Sequence, residues 1–312
     1  MPEPVRRILV VRAGALGDFL LGRPALAALR ARSPAAHITV VAPQPQARIA
    51  RWDGLADAVI GFDEPQLAPL IAGEAKEWPA LLELPDVAVV WLKAHAHVRA
   101  NAKRLGVRLT VGCAPLDAIR ARRHVAAWLI ESLAQLGVAE AQPPLLRPLG
   151  VQLPFERCIV LHPGSGSRRK NFPRWPAVLD RLAPAVPTVP AVVIEGPADE
   201  EAVAAVLRNW PAATAAPTIV RPTALEDLAS HLAGAALYLG NDSGVSHLAA
   251  ALGAPTVVAF GPTDPEIWQP VGPRVTVCGG ARVDDGIFAG EPAWPGVDEV
   301  LAAARALLGQ AE

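Results

Sequence analysis

Apolar runs of a few residues alternate with amphipathic stretches along most of this chain. Ile8–Val11, His37–Ala42, Val87–Leu92, Arg157–His162, Ala191–Glu195, Ile219–Arg221, Ala235–Leu239 and Pro255–Phe260 read as buried strands. Between them the apolar positions take a helical period. Leu20, Leu21, Ala25, Leu26 and Leu29 share one face of a predicted helix from Phe19 to Arg32, which Ser33-Pro34 stops. Further helices are predicted over Val125–Leu136, Trp175–Leu182, Leu225–Ala233 and, after Pro295-Gly296, Val297–Leu308. Strands alternating with helices predict parallel sheets covered on both faces. The alternation starts twice, at Ile8 and again at Arg157. Ala139–Pro154, rich in Pro, Gln and Leu with little periodicity, lies between as a linker. The prediction is therefore an α/β protein of two Rossmann-like, doubly wound domains, 1–150 and 151–312. Only 43–85, punctuated by prolines, resists assignment.

Composition changes this picture in two places. A net charge of −1 carries no overall sign of a nucleic-acid binder, so any basic surface must be local. One exists: between Lys93 and His124 there are eight Lys or Arg residues against one acid, Asp117. Lys93, Arg120 and Arg123, with Arg12 at the end of the first strand, are either solvated positions or contacts for an anionic acceptor or an anionic membrane surface. Cys113, Cys158 and Cys278 are too few and too far apart for a disulfide framework or zinc site, which fits a cytoplasmic protein. The N-terminus lacks a signal-peptide layout and no apolar run is long enough to span a bilayer, so membrane association is expected to be peripheral. His95 and His97 lack a third metal ligand, and no DxD triplet occurs, so no essential metal is expected.

The candidate chemistry sits in turns that follow strands, the edge at which open parallel sheets bind ligands. Gly240 to Gly244 leads into a helix with Asp242 or Ser243 as N-cap. The amides of Gly244, Val245 and Ser246 would then face an anion, with His247 near enough to donate to it. Pro163 to Lys170 offers small residues, Ser165, Gly166 and Ser167, beside the basic Lys170; GxxxxGK[ST] spacing is absent, so this is not a P-loop. In the turn before the next helix, Glu200 could accept from ribose hydroxyls or simply favour a helix N-terminus. At the first strand end Gly14-Ala15-Leu16-Gly17 lacks the full dinucleotide fingerprint, and Asp18 reads by itself as a helix cap.

Three strings together carry more than each alone. GNDSGVSHLAAALGAPTVVAFGPTDP (240–265), HPGSGSRRKNFP (162–173) and RAGALGDFLLGRPALAALRARSP (12–34) closely resemble the lipopolysaccharide heptosyltransferases, the family 9 glycosyltransferases. Phe172 stands where that family usually has Trp. The resemblance implies a GT-B fold whose two domains face across a cleft, the first binding acceptor and the second nucleotide sugar. Helix 297–308 is expected to cross back to the first domain, as in transferases of this shape. It places Asp18 at the family's catalytic base and Lys170 at its phosphate-binding lysine. The implied reaction is inverting, metal-independent transfer of a heptose from ADP-heptose to a hydroxyl of an anionic lipopolysaccharide-core glycolipid, in the cytoplasm or peripherally at the inner membrane. Asp242 would contact sugar hydroxyls. Other readings stay open: a GT-B transferase with another nucleotide sugar and acceptor, a sugar-nucleotide epimerase, or a non-catalytic nucleotide-binding protein of this fold. No partner besides donor and acceptor is implied, and the oligomeric state is left open.

Overall fold

The computed structural model describes residues 5–138, 142–147, 157–212 and 215–309. The chain divides into two units, Met1–Leu146 and Arg147–Glu312. Much of the linker read from the sequence, 139–141 and 148–154, lies outside the described residues.

In the first unit the elements run β1 (Arg7–Arg12), α1 (Leu16–Leu21), α2 (Arg23–Arg32), β2 (His37–Ala42), α3 (Gln44–Trp52), β3 (Ala58–Gly61), α4 (Ala68–Ile71), β4 (Val87–Trp91), α5 (His95–Arg104), β5 (Leu109–Cys113), α6 (Asp117–Ala121) and α7 (Val125–Glu131). All strand pairs are parallel, in the order β3-β2-β1-β4-β5. Every residue of β4 is buried, as a central strand covered on both faces requires. The helix predicted as continuous from Phe19 to Arg32 is broken at Gly22. Pro24 has no N–H to donate, so it falls in the first turn of a new helix instead of continuing the old one. Residues 43–85, opaque in the sequence, supply α3, β3 and α4. His95 and His97 open α5, where residues two apart point to different sides.

The second unit repeats the plan with β6 (Cys158–His162), α8 (Trp175–Leu182), β7 (Ala191–Ile194), α9 (Glu200–Arg208), β8 (Thr218–Val220), α10 (Leu225–Ala233), β9 (Ala235–Asn241), α11 (Gly244–Ala251), β10 (Thr256–Phe260), α12 (Pro265–Trp268), β11 (Val275–Gly279) and α13 (Val297–Gly309). The order is β11-β10-β9-β6-β7-β8, again all parallel. The order in which strands are added reverses between β6 and β9, and in the first unit between β1 and β4. These are the points where a crevice opens at the strand ends. Within its own unit α13 packs on α8 and on β9, β10 and β11. Its buried face of Val300, Leu301, Ala304 and Leu307 joins Trp175, Leu237 and Val257 in one apolar cluster. A helix with so wide an apolar stripe is held by the nearest sheet that lacks a cover. Among the described residues no helix is long and apolar enough to cross a membrane.

One buried ion pair ties α2 to the end of α3. Arg23 places Nη2 2.7 Å from Asp53 Oδ2 and 2.6 Å from the Pro144 carbonyl, with the two side chains 3% and 0% exposed. Burial pushes the Asp53 carboxyl above its ordinary value, and the attraction of Arg23 opposes that rise. Asp53→Ala would leave a buried guanidinium without its counter-charge; unfolding in urea is expected to show a loss of about 3–5 kcal/mol.

Candidate functional site

Where the strand order of the second unit reverses, β9 ends on Asn241, a fully buried polar side chain. Its carboxamide oxygen accepts from the Phe172 amide and the Trp175 indole N–H, both at 3.0 Å. Its nitrogen donates to the carbonyls of Pro163 and Gly164 at 2.7 and 3.0 Å. The four bonds use both ends of the amide and staple the loop after β6 to the end of β9. Gly164 is required here for space: a Cβ would lie 1.8 Å from Asp199 Oδ1.

The stapled loop delivers Lys170 to the next residue of β9's turn. Lys170 Nζ donates to Asp242 Oδ2 at 3.2 Å, and Thr263 Oγ1, from the turn after β10, donates to the same oxygen at 2.8 Å. His247 Nε2 lies 3.9 Å from Asp242 Oδ1. Burial acts to raise the Asp242 pKa, but His247, Lys170 and Thr263 together hold it below the usual carboxylate range. Asp242 is thus ionised and surrounded by donors. The other ring nitrogen of His247, Nδ1, is buried and has no hydrogen-bond partner among the described residues.

Ser243 is the N-cap of α11, its Oγ 3.4 Å from the Ser246 amide. The Ser246 N–H, expected to be free for an anion, is therefore committed to the cap. Gly244 and Val245, in the first turn, keep their amides clear of intrahelical bonds. Ser165 Oγ lies 2.6 Å from the Ser167 carbonyl and 2.7 Å from Asn171 Oδ1, which shapes the loop. Gly166 is exposed, and a side chain there would meet nothing within 4 Å. Glu200 is exposed at the start of α9. The preceding residue, Asp199, is the buried acid of this turn and bonds His162 Nε2 at 2.9 Å.

In the first unit Arg12, at the end of β1, is 5% exposed and does not stand on the surface. Its Nη2 donates to the Asp18 carbonyl at 2.9 Å and lies 3.6 Å from Asp18 Oδ1. Asp18 Oδ2 accepts from the Ala15 amide at 3.0 Å, so this carboxylate does cap α1, yet its side chain remains 36% exposed. Gly14 has φ +127, and a Cβ would come within 2.7 Å of the Asp18 side chain. Lys93 and Arg120 are exposed, and Arg123 is exposed in an ion pair with Glu131.

Residues 137–285 match the sequence model of glycosyltransferase family 9 (heptosyltransferase), a stretch that contains every second-unit residue just described. Over that stretch, just under half of its length, this chain resembles glycosyltransferase family 9. Asp18 and Arg12 lie outside the matched stretch. Among similar family 9 proteins, lipopolysaccharide heptosyltransferase 1 of Escherichia coli K12 is 43% identical over 58 residues, 19% of this chain and only 18% of that protein. The glycosyl transferase family 9 structure from Veillonella parvula DSM 2008 superposes with a TM-score of 0.75 at 21% identity, covering 99% of each chain. The E. coli heptosyltransferase WaaC, solved with ADP, gives 0.67 at 21% identity, over 98% of this chain and 99% of that one. At such identity the likeness is one of fold: two parallel-sheet α/β domains of the GT-B type.

Sequence reasoning passed over Asn241, Asp199 and Thr263. Asn241 and Thr263 stand inside the quoted family string, but only their contacts reveal a role. Replacing Asn241 with Ala would strand an amide, an indole N–H and two carbonyls in the interior; a loss of about 3 kcal/mol or more is expected by chemical denaturation.

Proposed function

We propose that this protein transfers a sugar from a nucleoside diphosphate donor, a heptose from ADP-heptose, to a hydroxyl of an anionic lipopolysaccharide-core-type acceptor. The observation that carries the reading is the meeting of Lys170, His247 and the α11 N-terminus in one place, within the stretch matched by the family model. The similar E. coli protein named as lipopolysaccharide heptosyltransferase 1 and the WaaC structure with ADP support the donor and acceptor classes.

The chemical step requires the acceptor oxygen to attack the anomeric carbon while the bond from that carbon to the diphosphate breaks. A single displacement inverts the anomeric configuration. Negative charge grows on the departing diphosphate, and cationic or N–H donors already aimed at it lower the barrier, by about 2.7–4 kcal/mol for one well-placed donor. Lys170, His247 and the amides of Gly244 and Val245 have that role here. They need no reorganisation, because Asp242 holds the lysine and histidine from behind. Positive charge at the leaving group is thus supplied by the chain, and catalysis is expected to need no divalent cation.

Asp18 is the general base that takes the acceptor proton. The Ala15 amide fixes one carboxylate oxygen and Arg12 steadies the other, while the side chain keeps access to solvent. A base needs only hydrogen-bond reach to the hydroxyl it activates. Exposed Lys93, Arg120 and Arg123 follow β4 and β5 and suit an anionic glycolipid or an anionic membrane face, consistent with a cytoplasmic enzyme working peripherally at the inner membrane.

Calorimetry with ADP, UDP and GDP, with and without excess Mg²⁺, is expected to show metal-independent preference for ADP. A preference for UDP or GDP would replace the heptose donor, and binding of none would remove the transferase reading. Asp18→Asn should lower kcat about 10²–10⁴-fold in a coupled ADP-release assay while leaving ADP affinity unchanged; retained turnover would remove Asp18 as the base.

A further inference from the structure

One buried histidine connects the three loops around the α11 N-terminus, and the reaction described above gives it no part. His162, the last residue of β6, is 3% exposed. Its Nε2 lies 2.9 Å from Asp199 Oδ2, in the turn after β7, and its Nδ1 lies 3.4 Å from Ser243 Oγ, in the turn after β9. Asp199 and Ser243 are each 5% exposed, so the whole chain of groups is shut from solvent.

Chemistry orders the protons along it. Burial would raise the Asp199 pKa, but the hydrogen bond from His162 and those from the amides of Gly196 and Ser165 hold it low, so it is a carboxylate. A carboxylate only accepts, and therefore the hydrogen between them sits on Nε2. A ring with its single hydrogen on Nε2 has Nδ1 as an acceptor that the Ser243 hydroxyl can meet at 3.4 Å, with Ser246 Oγ the hydroxyl's other neighbour at 3.3 Å. Ser243 is left with its lone pairs toward the Ser246 amide, which it caps. The neighbouring hydroxyls agree with this order. Ser246 donates to the Asn241 carbonyl, so Tyr238, 3.0 Å from Ser246 Oγ, must be the donor of that pair.

We propose that His162 is a positioning residue for the diphosphate site. Paired with Asp199, it holds the Ser243 hydroxyl in the rotamer that caps α11 and keeps the Gly244 and Val245 amides aimed at the bound anion. The loop after β6 is drawn into the same arrangement, because Gly164 lies directly on the Asp199 carboxylate. This inference rests on the diphosphate-binding reading of α11.

The test compares wild type, His162→Leu and His162→Gln by ADP calorimetry and reads the wild-type imidazole tautomer by ¹⁵N NMR. Glutamine can still donate to Asp199 and accept from Ser243, whereas leucine does neither. The expected results are an Nε2–H tautomer, ADP binding at least about tenfold weaker in H162L, and restoration to within about threefold of wild type in H162Q. An Nδ1–H tautomer overturns the proposal even if H162L does not fold. So does a folded H162L with wild-type affinity, or a folded H162Q whose binding is at least about tenfold weaker than wild type. Wild-type protein that binds ADP, UDP or GDP not at all would instead overturn the parent reading, which separates the two failures.

Discussion

The carboxamide of Asn241 is the constraint on which the second unit's site depends. It stands where the strand order reverses, where the loops after β6 and β9 diverge and where backbone groups would otherwise be left unpaired in the interior. With zero exposure and all four of its bonds formed, it has one acceptable orientation. That orientation sets the path of residues 163–172 and the start of α8 through Trp175. Lys170 reaches Asp242 because this path is set, and the helix that follows Ser243 points its first amides from a fixed place.

The basic groups around the α11 N-terminus are here built on buried carboxylates, which looks contradictory until each is followed to its partners. Asp242 is covered by Lys170, Thr263 and His247, and Asp199 by His162 and backbone amides. Neither presents a free negative charge. Asp242 fixes Lys170 and His247, Asp199 fixes His162, and removal from water is offset by pairing and hydrogen bonds. The same logic recurs in the first unit, where Arg12 is buried against Asp18 and Arg23 against Asp53. Arg12 was an expected acceptor contact in the sequence; in the fold it supports the carboxylate beside it.

Most strands were legible because a central parallel strand must be apolar on both faces, and Val87–Leu92 or Pro255–Phe260 can be little else. Helix breaks were less so: the pattern of Leu20, Leu21, Leu26 and Leu29 continues across Gly22, and only the missing proline N–H interrupts it. Residues 43–85 were opaque because β3 is short and only partly buried, so it carries little alternation. Lys170, Asp242, Ser243 and His247 were singled out by spacing and resemblance, and the fold brings them close together. The burial of Asp199 beside the exposed Glu200 was not legible, since two adjacent acids at a helix start differ only in which one the backbone turns inward.

The sequence by itself determined the two runs of strand and helix and the polar, glycine-bearing turns between them, because these follow from local periodicity and from residue type. The tertiary structure decided which polar groups are partners. Lys170 and Asp242 are separated by 72 positions and His162 and Asp199 by 37, distances over which no periodicity carries information. It also decided that α13 closes over its own sheet. Pairing and burial are properties of surfaces brought together by folding, and a pattern along the chain records which face is apolar without recording what covers it.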